Sequence, residues 1–175
     1  MNGMRSLALL AAVVCVPALQ AAEYTFTPGA ESARVTVELK KGERIDEFRM
    51  PAWAPGDYQI FNYGGLIDEV IFSRKGKPAA GEKSKDDPNL WKIPDGADSV
   101  SYTVKPSRGN FSPNLQIRGE LVFVNGAGVF GWFPGHQDEP HTLTLKLGDN
   151  QAGYSAMPGT EKVFKAKDYD ELLDC

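Results

Sequence analysis

Hydrophobic and polar residues alternate along most of this chain, and helical periodicity is nearly absent. In "ARVTVELK", Ala33, Val35, Val37 and Leu39 fall on one side and Arg34, Thr36, Glu38 and Lys40 on the other, the mark of a half-buried strand. "KKGE" reads as a turn at Gly42, and "RIDEFRM" follows it. "DEVIFSRKGK" reads as a strand running into a turn at Gly76. "LWKI" is a short strand between Pro88 and Pro94, and "DSVSYTVKP" turns Val100, Tyr102 and Val104 inward. "LQIRGELVFV" is the longest strand predicted, with Leu115, Ile117, Leu121 and Phe123 on one face. "NGAG" then reads as an Asn-Gly hairpin turn, with "VFGWF" returning as the partner strand. "HTLTLKL" turns Leu143, Leu145 and Leu147 inward, and "EKVFKA" is a last short strand. The polar stretch 76–89 reads as a solvated hairpin loop.

Strands separated by Gly, Pro, Asn and Asp turns predict an all-β domain, an antiparallel β-sandwich. The two ends differ from this pattern. Arg5 followed by ten apolar residues, Leu7 to Val16, and then small residues reads as a signal peptide over 1–21, since the run is too short to span a bilayer. The expected β domain covers 22–167, and the protein is expected to be exported, periplasmic or extracellular. Asp168 with Glu171 three residues later fits a capping box, so 168–175 begins a short helical turn.

Composition narrows the function. Without residues 1–21 the chain has 154 residues and 18 basic against 23 acidic groups. That balance argues against nucleic acid as a partner. No later apolar run is long enough for a membrane span. Cys15 leaves with the signal, so only Cys175 remains and no intramolecular disulfide can form.

Candidate chemistry is sparse. His136 and His141 are five residues apart with Pro140 between them, which rules out the zinc helix H-E-x-x-H. A loop metal site would need His136, Asp138, Glu139 and His141, with a solvated loop as the plainer reading. No G-x-S-x-G elbow or phosphate loop is present, and no catalytic residue is assigned. Among the aromatics, Trp53, Trp91 and Trp132 are read first as core. "FGWFPG" holds the best exposed aromatic edge, with Trp132 and Phe133 as ligand or interface residues. In "MPAWAPGDYQIFNYGG", residues 50–65, Pro51 and Pro55 exclude a regular central strand. Pro55-Gly56 fits a type II turn, with Trp53 and Tyr58 packed about a rigid corner and Ile60 and Phe61 starting the next strand.

The same stretch carries a resemblance. Pro51, Trp53, Pro55, Gly56, Tyr58 and Ile60 match a P-x-W-x-P-G-x-Y-x-I core similar to that in the N-terminal domain of the glycyl aminopeptidase family of metallopeptidases. "LIDEV", "NLWKI", "VSYTVKP", "FVNGAGVF" and "DYDELLD" follow in the family's order. The resemblance implies a saddle-like β domain that packs on a thermolysin-like zinc domain and helps wall its cleft. It places the zinc ligands and general base in that second domain, so no cofactor is expected in this chain. The implied partner is a peptidase domain, in cis or in trans, with 168–175 as a truncated lead into it. The alternative is a stand-alone exported module that binds peptides or glycans.

Overall fold

The computed structural model describes residues 22–40, 42–107 and 114–174. The leader read at 1–21 and both cysteines lie outside these residues. The strands are β1 (Ala22–Pro28), β2 (Ala33–Leu39), β3 (Ile45–Arg49), β4 (Ile67–Arg74), β5 (Lys77–Ala79), β6 (Glu82–Lys83), β7 (Leu90–Ala97), β8 (Ser99–Val104), β9 (Leu115–Arg118), β10 (Leu121–Val124), β11 (His141–Leu145) and β12 (Val163–Ala166). A six-residue helix, α1 (Tyr169–Asp174), follows. The expected all-β class is borne out.

Seven strands form the main sheet in the order β12-β11-β1-β2-β8-β4-β5, and β3-β7-β6 form a second. All pairings of the main sheet are antiparallel except β1 with β11, which is parallel. β1 alternates Ala22, Tyr24 and Phe26 inward and is not among the strands predicted from the sequence. The two sheets meet at Phe48 of β3. Its ring lies 5.7 Å from its cross-strand neighbour Trp91 and 5.4 Å from Tyr102 on the main sheet. Trp91 is core, as expected of it.

Four expectations change. "LQIRGELVFV" is a hairpin, because Gly119 takes φ 62° and makes the two-residue turn that pairs Arg118 with Leu121. A positive φ at the first central position is the type II′ geometry. The turn brings Leu121 and Phe123 into the open, off the face of Leu115. "NGAG" is a 3-10 turn over Gly126–Gly128, capped by the Asn125 side chain. The stretch 76–89 contains β5 and β6. Its Lys83 donates to the Gly64 carbonyl at 2.7 Å and sits 4.7 Å from the Trp91 ring.

"VFGWF" is the most consequential difference. Trp132 bridges to Arg49, but residues 129–131 form no strand and are buried. Buried irregular backbone must still find hydrogen-bond partners. Here the Val129 and Phe130 N–H groups donate to the Gly126 carbonyl, and tyrosine hydroxyls serve the rest. Tyr102 accepts from the Gly131 N–H and donates to the Val129 carbonyl, both at 2.9 Å. Tyr24 donates to the Gly131 carbonyl at 2.9 Å, and Tyr169 to the Phe130 carbonyl at 2.6 Å. Burial pushes all three phenols well above their ordinary pKa, so they stay protonated donors. Gly131 is required at its position, since a Cβ there would overlap the Phe48 ring.

Tyr102→Phe keeps the ring and strands two backbone groups. It is expected to lower unfolding free energy by about 1–3 kcal/mol. Gly131→Ala should destabilise further. Urea melts of both variants test this, and a Tyr102→Phe protein as stable as the parent contradicts it.

Candidate functional site

The segment 50–62 is a self-bonded loop. Asp57 N–H donates to the Ala54 carbonyl at 3.1 Å, and Gly56 has φ 88°. Those are the features of the Pro55-Gly56 type II turn expected from the sequence. The Ala52 carbonyl accepts from both Phe61 and Asn62, at 2.8 and 2.9 Å. The Trp53 indole donates to the Asp57 carbonyl at 2.6 Å.

The loop is held from below by two buried residues. Asn89 accepts from the Gly64 N–H at 2.9 Å and donates to the Asn62 side chain at 2.8 Å, while its own carbonyl accepts from Met50. Gly64 leaves no room for a Cβ against the Pro88 carbonyl. Tyr63 is fully buried, and its hydroxyl donates to the Asp57 carboxylate at 3.3 Å. Burial first, and then that carboxylate, push the Tyr63 pKa up to about 12. Neither Asn89 nor Tyr63 is singled out by sequence reasoning. Asn89, beside Pro88, looks like one more turn residue.

The corner does not bury its own aromatics. Trp53 is 46% exposed, Tyr58 101% and Ile60 72%, and Phe61 lies partly open on Tyr63 at 5.7 Å. The expectation that Trp53 and Tyr58 pack about a core corner is therefore corrected. So is the strand start at Ile60, since β4 begins only at Ile67. The backbone bonds fix the loop, and the side chains of Trp53, Tyr58 and Ile60 are left as an apolar surface.

The second expected site comes apart. Phe133 is buried against Phe48 at 5.7 Å, so it is core and not an exposed ligand residue. Trp132 is half-buried beside Tyr169 at 6.1 Å. The His136 Nδ1 lies 3.5 Å from Glu139 and 3.9 Å from Glu43. His141 begins β11 and is buried edge-on to Tyr24 and Tyr169, at 5.5 and 6.3 Å, whereas Asp138 is exposed. Among the described residues no three His, Cys, Asp or Glu side chains are placed to hold a metal ion. The His136–His141 loop site is thus not assembled.

α1 packs on the 3-10 turn at Gly126–Gly128. Asp168 accepts from the Glu171 N–H at 2.8 Å, as the capping box predicts, while the Glu171 carboxylate reaches Lys167 instead of Asp168. Leu172 is fully buried. The carbonyls of Leu172 and Leu173 press on Gly126, and Gly128 lies against Tyr63. Tyr63 in turn stacks under Phe61.

The family model of the Peptidase M61 N-terminal domain matches residues 25–175. The chain belongs to that family. The resemblance to a metallopeptidase N-terminal domain is borne out. A crystal structure of an aminopeptidase N family protein from Idiomarina loihiensis is similar with a TM-score of 0.71 at 20% identity, over 87% of this chain. At that identity the likeness concerns the fold. The chain spans 28% of that structure's length. No curated protein matches the chain.

Trp53→Ala should lower stability by only about 1 kcal/mol, the net worth of one hydrogen bond, whereas Asn89→Ala should cost more because it strands buried backbone. Urea midpoints that rank the two the other way would contradict this account. Burial holds the His141 pKa down at about 4, against partial offsets from Glu139 and Asp168. The unfolded chain therefore binds a proton first, near pH 6.5. The stability contributed by neutral His141 is present above that pH and is lost as pH falls toward 4, by up to roughly 3 kcal/mol. His141→Phe should flatten this part of the pH–stability curve, and an unchanged slope would show that other groups carry it.

Proposed function

We propose that this chain is a non-catalytic β domain of a zinc metallopeptidase, which packs on the peptidase domain and helps wall its cleft. The observation that carries the proposal is the 50–62 loop. Its apolar side chains point to solvent while its backbone is tightly bonded. An isolated domain gains nothing from such a surface, since exposed apolar patches mark interaction sites. A preordered loop also loses little conformational entropy on docking.

The position of the loop supports the same reading. Contacts run without a break from α1 through Gly126 and Gly128 to Tyr63 and Phe61. A domain joined after α1 would be continuous with the packing that supports this loop. The peptidase domain can be supplied in cis or in trans, and zinc with the general base belongs to that domain. Export to the periplasm or outside the cell, directed by residues 1–21, completes the proposal.

The test mixes the full chain with the zinc peptidase domain of an M61 relative and measures the Kd by calorimetry. A complex is expected. Tyr58→Asp combined with Ile60→Asp should weaken it at least tenfold at an unchanged melting temperature. Absence of a complex, or equal affinity of the double variant, would sink the proposal.

A further inference from the structure

A second apolar feature lies away from the 50–62 loop. A groove of about 460 Å3 runs along β10. Its floor is the face of the main sheet, with Phe26, Leu143 and Phe164, together with Phe130. Leu121, Phe123 and Tyr154 also line it, and all three are exposed. The volume is in the range of sites that take a ligand.

The groove follows a strand edge. Consecutive residues from Glu120 to Val124 all line it, although their side chains alternate between two faces. Hydrogen-bonded and non-bonded pairs alternate in an antiparallel ladder. The Asn125 N–H donates to the Asn114 carbonyl at 2.8 Å, which makes that pair a bonded one. Counting back by two, Phe123 and Leu121 bond to β9. The N–H and C=O groups of Val122 and Val124 therefore point away from β9. Among the described residues β10 pairs with β9 alone. An unpaired edge beside an apolar floor is the arrangement that binds an added strand.

We propose that this groove accepts an extended apolar peptide, which adds a strand to the free edge of β10 and seats alternate side chains on the Phe26–Leu143 floor. Charge sets the rest of its chemistry. Glu120, at the turn end, is the one carboxylate of the lining, so the peptide, running parallel to β10, carries a cationic group at its N-terminal end and no acidic residue. The residues involved differ from those of the 50–62 loop. Failure here leaves the packing proposal standing, and the reverse also holds.

The experiment measures fluorescence anisotropy of a labelled, capped peptide KVTVLV with the full chain. Binding is expected to weaken at least tenfold in Val122→Pro, which removes an outward N–H and no ladder bond. Glu120→Lys should weaken KVTVLV and strengthen EVTVLV. Phe123→Ser and Tyr154→Ala, both at exposed positions, should also weaken binding, and they serve as the readout if Val122→Pro fails to fold. Decanoate is titrated in parallel. Decanoate binding without peptide binding would make the groove a site for small apolar molecules and overturn the proposal. Peptide affinity unchanged across the variants would overturn it as well. So would self-association abolished by Val122→Pro in a chain that binds no peptide, since a second copy would then be the occupant.

Discussion

Three tyrosine hydroxyls hold a strip of irregular backbone inside this protein, and much of the architecture rests on that fact. Residues 129–131 cross the core without a neighbouring strand to pair with. In a sheet their N–H and C=O groups would be bonded automatically. Here Tyr24, Tyr102 and Tyr169 bring partners from β1, β8 and α1. The terminal helix is thus tied to the center by a polar bond as well as by Leu172. The ring of Phe48 closes over Gly131 from the other sheet, so the join between the sheets depends on the same strip.

This arrangement explains which parts of the fold were legible in the sequence. Alternation identified β2, β8 and β11 because each has a core on one side and more open surface on the other. The Pro55-Gly56 turn and the Asp168 cap were legible because their chemistry is local. The hairpin at Gly119 was not, since a glycine between two apolar runs fits a continuous strand equally well. The burial of 129–133 was hidden for a deeper reason. Its hydrogen-bond partners lie up to 107 residues away, and a side-chain hydroxyl leaves no periodic trace.

The site shows the same division. The motif residues of 50–60 could be found in the sequence, but their exposure could not, since a dense group of aromatics ordinarily signals core. What keeps Trp53 and Tyr58 outside is a network made by main-chain groups, Asn62 and Asn89. Rigidity here comes from hydrogen bonds and not from burial. That separation lets a loop be both well ordered and apolar at its surface, a combination suited to contact with another body and poorly suited to catalysis. The histidines show the converse case. They suggest metal chemistry by residue type, yet His141 is spent on packing against Tyr24 and Tyr169.

The parallel pairing of β1 with β11 has a kinetic consequence. Ala22 aligns with Leu39 on one side and with His141 on the other. The first contact is within reach as soon as a short hairpin exists. The second requires almost the whole chain, and closing so long a loop carries an entropic penalty before any contact repays it. A chain emerging N-terminus first must therefore carry β1 with one edge unsatisfied until residue 145 has appeared. Completion of the main sheet becomes a late event in biogenesis, and the interval before it is when this domain is most open to mispairing with other strands.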